Sequence, residues 1–244
     1  MLTNASSWLK NSIITALLLT LNSCEKERLI AISNYEYANG EISVIEINIP
    51  QAEGQTELAN KINRKIKAFT CNALHIDAGV NVKNDIEASA KAFNTSYNNF
   101  KKLLDENLLG ELPNWEVFID GELSYQNELI ISFAMSSIIN TGGIKPITQL
   151  SFLNFDKATG NILQYDDLIS NRDTFENILE PYLIKELNSS SLSLSDFKNN
   201  NGTLKTPDHT GYSESGLVLF YQTPKNNFIE CLIPFTKAND YLVY

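Results

Sequence analysis

The side chains that could perform acid–base or metal chemistry are few and stand apart in the sequence. Around the two histidines, His75 and His209, the sequence offers too few ligands for a four-ligand site, so it predicts no metal site. The adjacent carboxylates Asp166 and Asp167 could act as acid and base if burial raised the pKa of one of them. Their position directly before Leu168 favours instead a turn or a helix N-cap. We therefore expect no catalytic residue, no metal and no cofactor.

Nucleophilic catalysis has no clear motif in the sequence either. There is no Gly-x-Ser-x-Gly elbow, and no motif pairs a cysteine with a histidine. Thr141-Gly142-Gly143 could cradle an anion, but it lacks the lysine and the helix start of a phosphate loop. A turn or a bulge is the favoured interpretation of these glycines. Ser213-Glu214-Ser215-Gly216 predicts a loop before a strand.

Cys24 has the most specific context of the three cysteines. It follows Leu21-Asn22-Ser23, at the end of an uncharged stretch over residues 11–21 that is preceded by Lys10. This stretch is shorter than the ~20 apolar residues that a spanning helix needs. The four residues that end in Cys24 resemble the lipobox of bacterial lipoproteins, in which the cysteine is acylated and becomes the new N-terminus. The sequence therefore predicts a signal peptide over residues 1–23 and a lipid on Cys24.

This anchor would place the protein in the cell envelope. We expect the lipid to hold it to a membrane, with the outer membrane favoured and the membrane face left open. The chain has 19 basic and 29 acidic residues, and Lys10 is the one charged residue before Cys24, so the mature chain carries a net charge of −11. A protein this acidic has no electrostatic footprint for nucleic acid, and we expect no nucleic-acid partner.

The other two cysteines, Cys71 and Cys231, leave two alternatives open. An oxidising envelope would permit a disulfide between them. Cys231 also alternates with Ile229 and Ile233, as expected for a buried thiol on the core face of a strand.

Apolar spacing predicts an α+β fold, in which a mainly antiparallel sheet packs against two N-terminal amphipathic helices. A further hairpin and short helices are expected toward the C-terminus. The predicted elements are a strand over 42–49, helices over 56–69 and 86–104, a hairpin over 115–135 interrupted at Gly121, a strand over 147–155, a helix over 175–187 that Pro181 kinks or divides, a loop over 189–206 with a short helix near Phe197, a hairpin over 217–233 and a short terminal helix.

The predicted organisation has four parts. Residues 24–34 form a tether after the signal peptide, residues 35–110 form a strand-helix-helix part, and residues 111–244 form an antiparallel sheet part. We expect residues 35–244 to make one compact unit, since 43% of the chain is hydrophobic and can fill a core.

The order of these elements, together with several short motifs, resembles one known family over residues 41–242. The most specific motifs are Asn154-Phe155-Asp156, Thr159-Gly160 and Asp166-Asp167-Leu168. The family is the bacterial extracytoplasmic domain of unknown function of the 3298 type, with its N-terminal companion region. It occurs in the lysozyme-sensing ectodomain of the sigma-V anti-sigma factor and in the non-catalytic part of some peptidoglycan deacetylases.

Two segments depart from the family pattern. Family members commonly continue Gly-Gly with Ala-His, whereas Ile144-Lys145-Pro146 follows Gly142-Gly143 here. The Tyr- and Ala-rich insert that family members carry before the last strand is shortened to residues 222–227.

The acidic charge and the resemblance together favour a non-enzymatic binding module for an envelope or extracellular ligand. That ligand would be a protein such as a lysozyme, or a cell-wall glycan. Four tyrosines could stack on sugar rings or fill a pocket of the partner, although core positions are the alternative for them: Tyr35, Tyr37, Tyr212 and Tyr221. Two other hypotheses remain: a hydrolase of envelope polymers that uses Asp156, Asp166 and Asp167, and a structural tethering protein without a small ligand.

Overall fold

The computed structural model describes residues 29–76, 84–104, 113–188, 190–225 and 227–244. The predicted signal peptide and Cys24 lie outside this range. The described residues form an α+β fold with two sheets, which confirms the predicted fold class. None of the helices within them is both long and apolar enough to cross a membrane.

The first sheet has six strands, whose order across the sheet follows their order along the chain. They are β1 (Ile32–Asn39), β2 (Val44–Ala52), β3 (Glu116–Gln126), β4 (Ile130–Asn140), β5 (Ile147–Asp156) and β6 (Ile162–Leu163). Neighbouring strands are antiparallel except for β2 and β3, which pair in parallel. This parallel pair requires a crossover connection, and the two long helices provide it.

The helices and the second sheet complete the fold. The helices are α1 (Glu57–Ala73), α2 (Ile86–Lys102), α3 (Tyr165–Leu168), α4 (Arg172–Leu187) and α5 (Phe235–Ala238), with 3-10 turns at Leu194–Phe197 and Asn239–Tyr241. The second sheet is antiparallel and consists of β7 (His209–Ser213), β8 (Gly216–Gln222) and β9 (Phe228–Pro234).

Helix α1 begins where the sequence predicts. Thr56 is its N-cap, and the Thr56 side chain accepts a hydrogen bond of 3.1 Å from the amide of Ala59. Ile62 and Ile66 lie one turn apart and are both buried against the sheet. Helix α2 is capped in the same way by Asp85, which the spacing of its apolar residues alone did not reveal.

Two hydrophobic cores hold the fold together. The first lies between α1, α2 and one face of the six-stranded sheet, and Trp115 packs there against the rings of Phe93, Tyr97 and Phe100 at centroid distances of 5.2–5.7 Å. The second lies between α4 and one face of the three-stranded sheet. The predicted division at residue 110 does not separate these cores, because β2 pairs with β3 across it.

The predicted interruption at Gly121 is wrong. Strand β3 runs through Gly121 without a break. A Cβ atom at this position would lie 2.5 Å from Met135 Sδ and 2.8 Å from Pro50 Cδ, so a larger residue would not fit. The glycine therefore permits close packing within the strand instead of ending it. Helix α4 continues through Pro181 from Arg172 to Leu187, so of the two predicted alternatives a division of the helix at Pro181 is wrong.

Candidate functional site

The most specific motif of the sequence joins the two sheets. Asn154 is 2% exposed at the end of β5, and its side-chain nitrogen donates a 2.8 Å hydrogen bond to the carbonyl of Thr210 in β7. Its side-chain oxygen accepts a hydrogen bond from the Ser132 hydroxyl, which in turn accepts one of 3.4 Å from the amide of Tyr212. Two buried polar side chains of the first sheet thus pair with the backbone of β7 at its edge.

The carboxylates of the same motif cap turns. Asp156 accepts hydrogen bonds from the amides of Ala158 and Thr159, and the turn continues to Gly160, whose φ of +67° favours glycine. Asp167 accepts a 2.8 Å hydrogen bond from the amide of Gln164 at the start of α3. This confirms the predicted turn or cap at Asp167.

Asp166 has a different environment from its neighbour. Its carboxylate is exposed and lies 3.7 Å from the guanidinium of Arg172, which also pairs with Glu176 at 3.2 Å. Of these three carboxylates, Asp156 and Asp167 therefore accept backbone amides, and Asp166 faces a cation.

A cleft lies between the outer face of the six-stranded sheet and the second sheet. Its volume is about 810 Å³. The outer face is the face that points away from α1 and α2. Three carboxylates line the cleft, from Asp120 and Glu122 on β3 and from Glu230 on β9, and we call it the acidic cleft. All three of these side chains are exposed.

Strand alternation explains how the acidic cleft acquires its charge. On β3, Val117 and Ile119 point into the first core, so Asp120 and Glu122 point to the opposite face. The pairing registers place Glu36 of β1 and Asn48 of β2 on the same outer face as Asp120. Among the described residues that line the acidic cleft there is no lysine, arginine or histidine.

The floor of the acidic cleft is apolar where the two sheets meet. Phe152 of β5 stacks on Phe220 of β8, with a centroid distance of 6.0 Å and an interplanar angle of 20°. Gly211 of β7 makes this contact possible, since a Cβ atom there would lie 2.0 Å from the Phe152 ring. Leu150 and Val218 extend the apolar surface on either side.

The two histidines lie on different elements of the structure. His75 follows α1, and His209 lies in β7 with its ring 6.0 Å from that of Phe228. Burial lowers the pKa of His209, while the charge of Asp208 acts in the opposite direction. Within the described ranges, no group of three or more His, Cys, Asp or Glu side chains is arranged to hold a metal ion.

Cys71 and Cys231 are both free and completely buried, and each lies in a different core. Burial raises the pKa of the Cys71 thiol, and it raises that of Cys231 to about 12, with a further contribution from Glu186 and Glu230. Of the two alternatives, the structure therefore shows two separate buried thiols, and no disulfide joins Cys71 to Cys231.

The four candidate tyrosines divide into two pairs. Tyr212 and Tyr221 are 0% and 2% exposed in the second core, so neither can stack on a ligand from the surface. Burial raises the pKa of both phenols. Tyr35 and Tyr37 lie on the edge strand β1 and are partly buried against the first core. None of the four lines the acidic cleft.

Comparison with known proteins places this arrangement in a known fold. A family model described as deacetylase PdaC matches residues 35–148, which contain most of β1 and all of β2 to β4, α1 and α2. The crystal structure of a DUF3298 family member from Bacteroides fragilis superposes with a TM-score of 0.60 at 14% identity, over 88% of this chain and 94% of that chain. The chain has the DUF3298 fold.

A second DUF3298 structure, from Pseudomonas aeruginosa, agrees with this assignment. It has a TM-score of 0.55 at 14% identity, with the same coverage of 88% of this chain and 94% of that chain. No curated protein matches the sequence significantly. The resemblance is therefore confirmed at the level of the fold. Asn154, Asp156 and Asp167 of the motifs quoted for it have structural roles in this protein.

Sequence reasoning did not single out the residues of the acidic cleft. The alternation of Val117 and Ile119 with Asp120 and Glu122 was the available signal, because it places the carboxylates on the face away from the core. The approach of Glu230 and Phe220 to that face depends on how the second sheet docks, which no local pattern indicates.

Proposed function

We propose that this DUF3298 protein is a non-enzymatic binding module that holds a basic protein on its acidic cleft. The observation that carries the proposal is a cleft lined by Asp120, Glu122 and Glu230 without a cationic side chain among its described lining residues. Complementary charge steers association and selects against acidic partners. A lysozyme is a suitable partner, because hen-type lysozymes are basic.

The acidic cleft combines charge with apolar surface. Lysine and arginine have long aliphatic stems below their charged heads. Such a side chain could place its stem over Phe152 and Phe220 while its head meets Asp120 or Glu230. Glu36 and Glu46 are exposed on the outer face beyond the cleft and extend the acidic surface toward β1 and β2. The binding surface would therefore be wide, as protein partners require.

The proposal also places the protein in the cell envelope through a lipid on Cys24. Support comes from the lipobox-like Leu21-Asn22-Ser23-Cys24 and from the short uncharged stretch before it. Metabolic labelling with an alkyne-tagged palmitate tests this anchor. Label should appear on the native chain and disappear in Cys24→Ser, while labelling that survives the substitution would contradict it.

Titration calorimetry with hen-type lysozyme tests the protein partner. The variant Asp120→Asn/Glu122→Gln/Glu230→Gln removes three charges from the acidic cleft. Since an exposed charge pair contributes up to about 1 kcal/mol, the affinity at low salt should fall by about 10- to 100-fold. Raising the salt to 0.15 M, where the screening length is about 8 Å, should weaken the native protein more than the variant.

A matched control separates the acidic cleft from overall charge. Glu41→Gln/Glu128→Gln/Asp240→Asn removes the same net charge from exposed positions outside the cleft lining. Its affinity should stay within about threefold of the native value. An equal loss in both triple variants would assign the attraction to net charge alone. No binding at low salt would overturn the lysozyme version and would favour a glycan ligand or a purely structural tether.

A further inference from the structure

Strand β1 leaves one edge of the six-stranded sheet without a partner strand among the described residues. Its eight residues pair with β2 without a register shift, and they include neither lysine nor proline. Short length, proline, lysine or a bulge protects the edges of many sheets from pairing with another chain. Strand β1 has none of these protections, so its backbone is open to a further strand.

The register shows which backbone groups face the free edge. The amide of Glu53 donates a 2.8 Å hydrogen bond to the carbonyl of Ala31, so the odd-numbered residues of β1 are the ones that bond to β2. The amide and carbonyl groups of the alternate residues therefore point away from β2: Ile32, Asn34, Glu36 and Ala38. Pro50 agrees with this assignment, because it lies opposite Asn34 and has no N–H to donate.

A cavity of about 450 Å³ lies beside this edge, between the inner face of the sheet and the helices. Tyr35 of β1, Lys67 of α1, and Asp85 and Glu87 at the start of α2 contribute to its lining, and we call it the edge cavity. Both carboxylates are exposed. Burial, and then the charge of Glu87, raise the pKa of Tyr35, in keeping with a carboxylate near the phenol. The edge cavity and the acidic cleft share none of their described lining residues.

We propose that an extended basic peptide pairs with the free edge of β1 and places a lysine or arginine side chain in the mouth of the edge cavity. Side chains that lie opposite one another in neighbouring strands point to the same face, so the peptide residue opposite Tyr35 points toward the helices. There its cation meets Asp85 and Glu87, and the Tyr35 ring offers a cation–π contact. On the other face of the sheet, Glu36 is exposed at the same edge. Main-chain hydrogen bonds thus supply affinity, and the carboxylates supply the preference for basic residues.

A second copy of this chain fits the edge less well than a basic peptide does. Pairing of two β1 strands would bring Glu36, Asp85 and Glu87 close to the same residues of the other copy, and like charges across neighbouring strands are destabilising. Lys67 is the one cationic side chain among the described residues that line the edge cavity, against two carboxylates. The charge of this edge therefore selects a basic partner.

Fluorescence anisotropy with a labelled octapeptide of alternating Thr and Lys tests the proposal on the full chain in detergent. The measurement uses the Asp120→Asn/Glu122→Gln/Glu230→Gln variant, so that the acidic cleft does not contribute. We expect saturable binding, which an octapeptide of alternating Thr and Glu should lack. When Lys lies opposite Tyr35, the Thr amides are the ones that face β1. N-methylation of every Thr keeps the charge of the peptide but removes these donors, so the affinity should fall at least about tenfold.

Two pairs of variants locate the peptide on β1. Ala38→Pro removes an N–H of the free edge and adds a ring where the peptide lies, without breaking a bond to β2, so the affinity should fall about tenfold. Ala38→Ser keeps the N–H and should bind the peptide unchanged. Glu87→Gln should weaken binding about threefold, whereas Glu128→Gln, at an exposed position outside the edge cavity, should not.

Hydrogen exchange and lysozyme binding separate the outcomes. Bound peptide should slow the exchange of the Glu36 and Ala38 amides, which a purely electrostatic contact between side chains would leave unchanged. Ala38→Pro in the native background should unfold near the native temperature and should still bind lysozyme, so that failure of this edge is distinguishable from failure of the acidic cleft. Absence of binding by the Thr-Lys octapeptide, or equal affinity of Ala38→Pro and Ala38→Ser, would overturn the proposal.

Discussion

The two faces of the six-stranded sheet are built from the same strands but have opposite chemistry. The inner face carries Ile45, Ile119 and Phe133, each at most 1% exposed beneath α1 and α2. The outer face carries Asp120 and Glu122, and the second sheet covers it only in part. Because successive residues of a strand point to opposite faces, one sequence encodes both surfaces by alternation.

The two faces of the sheet therefore contribute differently to the stability of the fold and to the proposed recognition of a partner. Apolar side chains on the inner face lose their contact with water on folding, which contributes most of the favourable free energy of a domain. Exposed carboxylates on the outer face contribute little to folding and repel one another. Their position on one face, opposite the core, supports the proposal that this face binds a basic partner.

The strongest test of the comparison replaces the same residue type on the two faces of β4. Ile131 points inward and is 0% exposed, whereas Ile138 points outward and is 44% exposed. Ile131→Ala should lower the free energy of unfolding by about 2–5 kcal/mol, since it leaves a cavity in the first core. Ile138→Ala should lower the free energy of unfolding by less than about 1 kcal/mol. Urea unfolding measures both, and similar losses at the two positions would contradict the assignment of the faces.

The next effect concerns the contact between the sheets. Asn154→Ala leaves the carbonyl of Thr210 and the hydroxyl of Ser132 without their buried partner. The free energy of unfolding should fall by about 1–3 kcal/mol, the cost of an unsatisfied buried polar group. Asn161→Ala, at an exposed position of the nearby turn, serves as the control and should have almost no effect. Equal stability of the two variants would show that Asn154 does not join the sheets.

A pH dependence follows from His209 at the edge of the second sheet. Burial lowers its pKa below the unfolded value of 6.5, so the unfolded chain takes up a proton before the folded chain does. Stability from this group is present above pH 6.5 and is lost as the pH falls through the lowered folded pKa. His209→Gln should flatten this part of the stability profile in thermal unfolding between pH 7 and pH 5. A variant with an unchanged slope would contradict the buried, neutral imidazole.

The smallest effect on stability is expected on the outer face. Asp120→Asn/Glu122→Gln/Glu230→Gln should leave the free energy of unfolding within about 0.5 kcal/mol per site, since these side chains are exposed. The same variant should lose most of its lysozyme affinity. A large destabilisation in urea unfolding would mean that the carboxylates belong to the fold and not to a binding surface.

Strands β1 and β7, which the sequence analysis did not predict, both have a weak local pattern of apolar residues. Edge strand β1 reads Ile-Ser-Asn-Tyr-Glu-Tyr-Ala-Asn and has no fully buried residue, so its hydrophobic alternation is weak and it overlaps the predicted tether. Strand β7 has five residues with Gly211 in the middle, and its place depends on side chains of β4 and β5. Long amphipathic helices such as α1 were predictable because their signal is local.

The candidate site was less predictable than the fold for a related reason. The sequence analysis treated Asn154, Asp156 and Asp167 as one group of motif residues. In the structure, Asn154 joins the two sheets, and Asp156 and Asp167 stabilise a turn and a helix start through hydrogen bonds. The acidic cleft draws Asp120 and Glu230 from strands of different sheets, 110 residues apart in the chain. Such a site depends on tertiary docking, which periodicity does not encode.

Carboxylate footprinting in the presence of lysozyme tests whether the acidic cleft is the binding surface. Carbodiimide-driven amidation of the exposed carboxylates, quantified residue by residue by mass spectrometry, compares the protein alone with the protein at saturating lysozyme. We expect strong protection of Asp120, Glu122 and Glu230, with unchanged labelling of Glu41, Glu128 and Asp240. Protection of the second group, or equal labelling of the first group with and without lysozyme, would contradict it.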